Sequence, residues 1–151
     1  MGQPRRRADR EVIPKPLQEI LDDLALFPDR AERIQALISL GEEFKNPSEA
    51  EVSRTPESRV PGCESEAFLA VFPRPDGTLD FRFAVDNPQG ISAMALAVIL
   101  DRGLSGAALA QVAEVPEDLV YTIFGRELSM GKSLGLTGMM RMLKAEAARA
   151  A

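Results

Sequence analysis

Residues 66–85 read EAFLAVFPRPDGTLDFRFAV, and this stretch decides the fold. Two apolar runs, Glu66 to Phe72 and Leu79 to Val85, stand on either side of Pro73-Arg74-Pro75-Asp76-Gly77. The second run alternates apolar and polar side chains, which is the period of a strand with one buried face. A connection rich in Pro and Gly between two such runs is typical of an antiparallel hairpin. A third, shorter strand is expected over Ser58 to Pro61, at an edge or an end, because proline cannot donate to a neighbouring strand.

Helical patterns lie on both sides of this hairpin. Two amphipathic helices are predicted upstream of it. The first follows Pro14 and Pro16 and ends at Pro28, and the second begins at Asp29, whose spacing to Glu32 is that of a capping box. The residues expected to face the core are Leu17, Ile20, Leu21, Leu24 and Ala25 in the first helix and Ile34, Leu37, Ile38 and Phe44 in the second, with Gly41 as a break.

The region downstream of the hairpin is predicted to be helical. A helix opens at Asn87-Pro88 and stops at Gly103, shorter helices follow over 105–113 and 116–124, and a long helix ends the chain. The residues expected to face the core are Ile91, Met94, Ala95, Val98 and Ile99 in the first of these helices and Leu136, Met139, Met140, Leu143 and Ala147 in the last.

The order of the elements predicts an α+β fold. A small antiparallel sheet of about three strands would pack against several helices, including the long C-terminal one. We expect one domain over residues 14–151 and a flexible N-terminal tail over residues 1–13, where Arg5-Arg6-Arg7 and Arg10 form the only basic cluster.

The charge and hydropathy of the chain exclude several classes of function. The 151 residues carry a net charge of −5, which argues against nucleic-acid binding, because that depends on clustered Lys and Arg. No apolar run of the kind found in signal peptides follows the basic cluster. The longest apolar stretch, Ala93 to Leu100, is too short to cross a bilayer. We therefore expect a cytoplasmic protein that binds neither nucleic acid nor membrane.

The residue types available also limit the chemistry. Histidine is absent, which removes His-based catalytic triads and zinc sites. Cys63 is the only cysteine, so an internal disulfide or a Cys-rich metal site cannot form, and no pattern indicates a cofactor or metal site. Met139, Met140 and Met142 are better explained by core packing than by copper ligation. Gly131-Lys132-Ser133 is interpreted as a turn, because the spacing of a phosphate-binding loop is not met.

The most informative segment is Arg59-Val60-Pro61-Gly62-Cys63-Glu64-Ser65. Pro and Gly predict a turn that places Cys63 at a loop tip before the first strand, and Gly62 would let a partner backbone approach closely. Arg59 would favour the reactive thiolate by charge, whereas Glu64 and Glu66 would oppose it. The residues alone leave two interpretations open. The thiol is either exposed and able to accept sulfur, or it is a small buried hydrophobe, as free cysteines often are.

Four segments, in order, resemble the SufE family from about Ile20 to the end of the chain. Ile38-Ser39-Leu40-Gly41 resembles the end of the family's second helix. The Cys63 segment resembles the family motif Val-x-Gly-Cys-x-Ser, whose cysteine accepts sulfur. Asp86 and the helix that ends in Gly103-Leu104-Ser105-Gly106 form the third segment, and Leu128 to Leu136, which includes Lys132, forms the fourth.

The chain also departs from the family pattern at several positions. Glu66-Ala67-Phe68 stands where the family has Gln-Val-Trp, and Asn87-Pro88 interrupts the run after Asp86. Met130 and Lys132 replace a Pro and an Arg of the fourth segment. Lys132 keeps the positive charge but lacks the planar fork of Arg, so any contact that needs two parallel hydrogen bonds would be lost.

The resemblance implies both a fold and a function. The fold would be SufE/IscU-like. The protein would dock to a pyridoxal-phosphate-dependent cysteine desulfurase of the SufS kind, accept a persulfide sulfur on Cys63, stimulate that enzyme, and supply a SufBCD-like iron–sulfur scaffold complex. The cofactor would belong to the partner. Cys63 would be catalytic, and the residues expected to support the active loop or contact a partner are Arg59, Pro61, Gly62, Glu64, Ser65, Asp86 and Lys132.

Two other hypotheses remain beside the sulfur carrier. The chain could be a non-catalytic regulator that binds a desulfurase without carrying sulfur. It could also be a cluster scaffold of the related IscU fold, although one cysteine without histidine argues against this.

Overall fold

The computed structural model describes residues 13–126 and 128–151 and has the predicted α+β class. The elements in these residues are α1 (Lys15–Ala25), α2 (Arg30–Glu42), β1 (Ala67–Pro73), β2 (Leu79–Val85), α3 (Ile91–Leu104), α4 (Leu109–Ala113), α5 (Leu119–Phe124) and α6 (Met130–Ala150). The predicted N-terminal tail lies outside the described residues, apart from Ile13, which packs against the core.

Strands β1 and β2 form the predicted hairpin. They pair antiparallel from Ala67 opposite Val85 to Pro73 opposite Leu79. Gly77, in the connection, has a φ of +87°, a backbone conformation that glycine adopts without a steric penalty. Strand β2 has its predicted bounds, whereas β1 lies one residue later than the predicted Glu66 to Phe72. The chain reversal follows from the glycine.

The predicted third strand is reduced to a single bridge. Arg59 pairs with Phe68, and two backbone hydrogen bonds of 2.8 and 2.9 Å join residues 58–60 to β1. The pairing ends there because Pro61 has no N–H and Gly62 turns the chain away. Within the described residues the sheet has two strands rather than about three.

The hairpin separates two apolar clusters of unequal size. The larger lies on the face that carries Phe81 and Phe83, where the helices pack. On the other face Val52, from the loop that precedes Cys63, covers Phe68 and Ala84. The loop over 46–61 thus supplies the second layer on the face that the helices leave open.

Helix α3 is buried on nearly all sides, which differs from the single stripe expected. Leu96, Ala97 and Leu100 lie off the predicted stripe and are buried, whereas Ile91, at its start, is exposed. The reason is that α3 packs against α1, α2 and β2 at once. A helix surrounded in this way is apolar on every face, so its hydrophobic period is lost. The C-terminal helix α6 keeps its predicted stripe, and Met139 and Met140 are fully buried in it.

Several predicted helix ends are wrong. Helix α3 begins at Ile91 rather than at Asn87-Pro88, because the Asn87 side chain accepts a hydrogen bond of 3.0 Å from the Gln89 N–H and holds a separate turn. Gly103 lies within α3 and Gly41 within α2. A Cβ on Gly41 would lie 3.0 Å from the Ile91 carbonyl oxygen, so this glycine permits close helix packing and is not a break.

The segment Gly131-Lys132-Ser133 is also helical instead of a turn. It forms the first turn of α6, and the Ser129 side chain caps it by accepting a hydrogen bond of 3.3 Å from the Lys132 N–H. Among the described residues, no helix has both the length and the apolar character that crossing a bilayer requires.

Candidate functional site

Cys63 lies in the turn that leads into β1, as predicted, but its thiol is not exposed. Only 6% of the residue is accessible to solvent. The turn folds back onto α6, so that the Cys63 Sγ would lie 3.3 Å from a Cβ placed on Gly135. Of the two interpretations that the sequence left open, the thiol is buried in the conformation seen here, and the reason is the close approach that Gly135 allows.

The turn has the backbone geometry that Pro61 and Gly62 predict. Gly62 has a φ of +71°, which suits the third position of a turn with proline before it. A second turn follows, in which the Glu66 N–H donates to the Cys63 carbonyl at 3.3 Å. Glu66 itself has a φ of +55°, an unfavourable conformation for a residue with a side chain.

Backbone hydrogen bonds fix the two ends of the turn. The Val60 N–H donates to the Ala67 carbonyl at 2.8 Å and holds the entry. At the exit, the Ser65 carbonyl accepts from the Asn87 N–H and the Glu66 carbonyl accepts from the Asp86 N–H, both at 3.1 Å. Cys63 is thus carried on a short segment between two anchored points.

The Asp86 side chain bonds to the loop that precedes the Cys63 turn. Its carboxylate accepts from the Arg54 guanidinium at 3.0 Å and from the Asn46 side-chain amide at 3.1 Å. The hydrogen bond from Arg54, together with that from Asn46, lowers the pKa of the Asp86 carboxyl below its usual value. Arg54 also donates to the Val52 carbonyl at 2.6 Å, so it ties the 46–54 loop to the end of β2.

Sequence reasoning missed Arg54 and Asn46. Both stand in a polar loop without periodicity, where no local pattern distinguishes them from their neighbours. Their role depends on Asp86, which lies 32 residues after Arg54 in the chain.

The predicted support residues divide into two groups in space. Arg59 is turned away from the thiol: its guanidinium lies over the Phe68 ring, 5.9 Å from the centroid, on the sheet face opposite the main core. Lys132, by contrast, lines the same cavity as Cys63, together with Glu64 and Ser65.

This cavity has a volume of about 390 Å³ and is open to solvent. It lies between the Cys63 turn and the segments that begin α3 and α6, and Ile34 and Ile38 of α2 complete its wall. A second cavity of about 440 Å³ adjoins it and shares Ile34, Ile38, Ile91, Ser92 and Lys132. The two cavities form one cleft with apolar walls that ends at Cys63.

Large apolar side chains are exposed around this cleft. Ile34 is 44% exposed and Ile91 is 45% exposed, and both line the cleft. On α6, Met130 is 80% exposed and Leu134 is 57% exposed. Leu134 lies beside the turn, since its Cβ would be 4.0 Å from a Cβ on Gly62. A group of exposed apolar residues around a cleft is typical of a protein-binding surface.

Comparison with known proteins shows which family the chain belongs to. A protein-family model described as "SufE: Fe-S metabolism associated domain" matches residues 18–147. The chain belongs to the SufE family. The family resemblance inferred from the four sequence segments is thereby confirmed, and so is an association with iron–sulfur metabolism.

Individual proteins are similar over most of the chain. An uncharacterised SufE-like protein of Rhizobium meliloti (strain 1021) is 31% identical over 141 residues, which cover 87% of this chain and 94% of that protein. An uncharacterised SufE-like protein of Rhizobium etli is 30% identical over 134 residues, covering 87% of this chain and 88% of that protein. The solution structure of a hypothetical protein from Thermus thermophilus has the same fold, with a TM-score of 0.68, 23% identity, and coverage of 91% of this chain and 97% of that one.

Proposed function

We propose that this SufE-family protein is a sulfur carrier. It accepts a persulfide sulfur on Cys63 from a pyridoxal-phosphate-dependent cysteine desulfurase, stimulates that enzyme, and passes the sulfur to an iron–sulfur scaffold complex. The observation that carries the proposal is that the only cysteine of the chain lies on a short turn, anchored at both ends, at the end of an open apolar cleft.

The transfer conserves atoms and electrons. The Cys63 thiolate attacks the outer sulfur of the donor persulfide, and the new S–S bond forms as the donor's own S–S bond breaks. The donor leaves as a thiolate, and Cys63 holds the transferred sulfur as a persulfide. No oxidant or reductant is consumed. The desulfurase, freed of its persulfide, can begin another turnover, which explains the stimulation.

The reaction requires the turn to move, because a donor sulfur inside another protein cannot reach a thiol that is 6% exposed. The backbone is fixed at Val60 and at Ser65, so an outward movement of residues 61–64 would break only their packing against α6 and the local bonds of the turn. The exposed apolar side chains beside the cleft would be covered by the desulfurase, which would exclude water from the exchange. A SufS-like donor, a SufBCD-like acceptor and a cytoplasmic location fit this proposal.

The direct test is intact-mass spectrometry after incubation with a SufS-like desulfurase and L-cysteine. We expect a mass gain of one sulfur atom that maps to Cys63 and disappears on treatment with dithiothreitol. The Cys63→Ser variant, similar in volume but without the nucleophile, should gain no sulfur and should not stimulate L-cysteine turnover.

The burial of Cys63 favours one competing function, that of a regulator that binds the desulfurase without carrying sulfur. The same variant separates the two hypotheses. If Cys63→Ser stimulates the desulfurase as strongly as the unchanged protein, the carrier is excluded and the regulator is supported.

A further inference from the structure

We propose that Gly135 and Gly138 of α6 form a seat for the Cys63 turn, and that this seat sets how often the thiol reaches solvent. The inference concerns positioning residues and deepens the proposed sulfur transfer, on which its biological use rests. The seat itself is a property of the isolated chain and can be measured without any partner.

A third glycine, Gly131, lies on the same face of the helix as Gly135 and Gly138. Their spacing of four and then three residues places them one above the other along α6. Each glycine makes a helix less stable than alanine would at the same position. Three of them on one face, in the first nine residues of a 21-residue helix, therefore indicate that another segment must approach this face closely.

The segment that approaches is the Cys63 turn, which runs antiparallel to α6. A Cβ on Gly138 would lie 2.8 Å from the Pro61 carbonyl oxygen, and a Cβ on Gly135 would lie 3.2 Å from the Cys63 Cα. A Cβ on Gly131 would lie 3.2 Å from a carboxylate oxygen of Glu64. The first two contacts involve the backbone or the cysteine itself, whereas the third involves only the end of a flexible side chain.

Packing, and not hydrogen bonding, holds the turn on this seat. Among the described residues, no hydrogen bond joins residues 61–64 to α6. Beyond the bond from Glu66 N–H to the Cys63 carbonyl, the turn accepts one long bond of 3.4 Å, from the Asn87 side chain to the Glu64 carbonyl. Dispersion contacts weaken steeply when surfaces separate by an ångström. A methyl group inserted between the two surfaces should therefore shift the equilibrium toward an open turn.

The experiment compares three substitutions that add the same methyl group. Gly138→Ala and Gly135→Ala displace the turn, and Gly131→Ala is the matched control, because it meets only the mobile end of Glu64. All three should leave α6 as stable or more stable, since alanine favours the helix. The readout is the rate at which iodoacetamide alkylates Cys63 in the native protein, followed by intact mass, with the thermal midpoint measured in parallel.

We expect Gly138→Ala and Gly135→Ala to raise the population of the open turn by about ten-fold. The alkylation rate should rise by the same factor, because only the open turn reacts. Gly131→Ala should stay within about two-fold of the unchanged protein because the Glu64 side chain can rotate away. If Gly138→Ala fails to fold, Gly135→Ala, whose contact is less severe, decides the outcome. An unchanged alkylation rate in a folded Gly135→Ala protein would contradict the proposal that these glycines hold the Cys63 turn.

A urea series separates opening of the turn from general destabilisation. Alkylation through a local opening depends weakly on urea, whereas alkylation through global unfolding has the full denaturant slope of unfolding. The full slope in Gly138→Ala and Gly135→Ala would also overturn the proposal. Because iodoacetamide needs no desulfurase, a confirmed seat without sulfur labelling would reject only the carrier function, and sulfur labelling with unchanged alkylation would reject only the seat.

Discussion

At the scale of single residues, the site depends on backbone conformations that few residues adopt. Gly62 and Glu66, on either side of Cys63, have φ values of +71° and +55°. Among the described residues other than glycine, Glu66 is the only one with a positive φ. Such a residue is strained, and strain of this kind is found where a protein holds a functional side chain in place. The turn therefore combines one glycine without strain and one strained glutamate around the thiol.

The substitution Gly62→Ala tests the first of these conformations. It should cost about 1 kcal/mol of folding stability, because an alanine at positive φ is strained. The new Cβ would be 4.0 Å from the Leu134 Cβ, an ordinary contact, so no clash adds to the cost. Urea unfolding measures the loss.

The matched control is Gly77→Ala at the hairpin end. Its φ of +87° gives a similar penalty, and its Cβ would meet nothing within 4 Å. Both variants should lose similar stability, but only Gly62→Ala should change the alkylation rate of Cys63. An equal change in that rate for both variants would contradict a local role for Gly62.

At the scale of elements, the Arg54–Asp86 pair joins the long loop to the sheet. The Arg54 side chain is 14% exposed and bonds to Asp86 and to loop carbonyls, while the Asp86 N–H holds the exit of the Cys63 turn. Removing the carboxylate would leave a mostly buried guanidinium without its partner, which is costly. The pair thus links two segments that the chain order separates.

The lowered pKa of the Asp86 carboxyl makes this link sensitive to pH. The unfolded chain binds a proton at Asp86 near the usual value of 3.8, and the folded protein binds it only at lower pH. Stability from the pair is therefore fully present above the usual value and is lost as the pH falls through the folded value. We expect Asp86→Asn to be less stable than the unchanged protein at pH 7 and the two to converge toward pH 2, as measured by urea unfolding.

Asp80→Asn is the matched control for this prediction. Asp80 forms a salt bridge with Arg74, but this pair is near the hairpin turn and is more exposed. Such surface pairs contribute little to stability. A pH-dependent loss as large in Asp80→Asn as in Asp86→Asn would argue against a special role for the Arg54–Asp86 pair.

At the scale of the whole molecule, the cleft and its exposed apolar rim face the same side as the Cys63 turn. Under the proposed function this side docks to the desulfurase. We expect Leu134→Ser and Ile91→Ser to weaken desulfurase binding by about ten-fold each, the effect of losing a well-packed apolar contact in an interface. Binding measured by isothermal titration calorimetry gives the change in affinity.

Phe72→Ser provides the control for the docking surface. Phe72 is an exposed apolar residue at the far end of β1, next to the hairpin connection. The Phe72→Ser variant should bind the desulfurase with the same affinity as the unchanged protein. An affinity reduced only in Phe72→Ser would place the docking surface at the opposite end of the sheet.

The sequence by itself determined the elements whose causes are local. The alternating run over Leu79–Val85 has its predicted bounds, and α6 buries its predicted stripe. Asp29 is the N-cap of α2 as expected, although its side chain accepts from the Ala31 N–H and not from Glu32 as in a capping box. The four segments that resemble the SufE family were together enough to identify it, and the family model confirms this. Periodicity and capping act within a few residues of one another, so one segment contains all the information that they need.

Only the tertiary structure decided how these elements meet. The burial of Cys63 depends on Gly135, which lies 72 residues later in the chain, and the all-round burial of α3 depends on neighbours on several sides. Gly41 was expected as a break and Gly103 as a helix end, but both lie within helices at places where another segment packs closely. The physical reason is that close packing depends on the distance between surfaces, and the spacing of residues along one segment does not specify which distant surface will cover it.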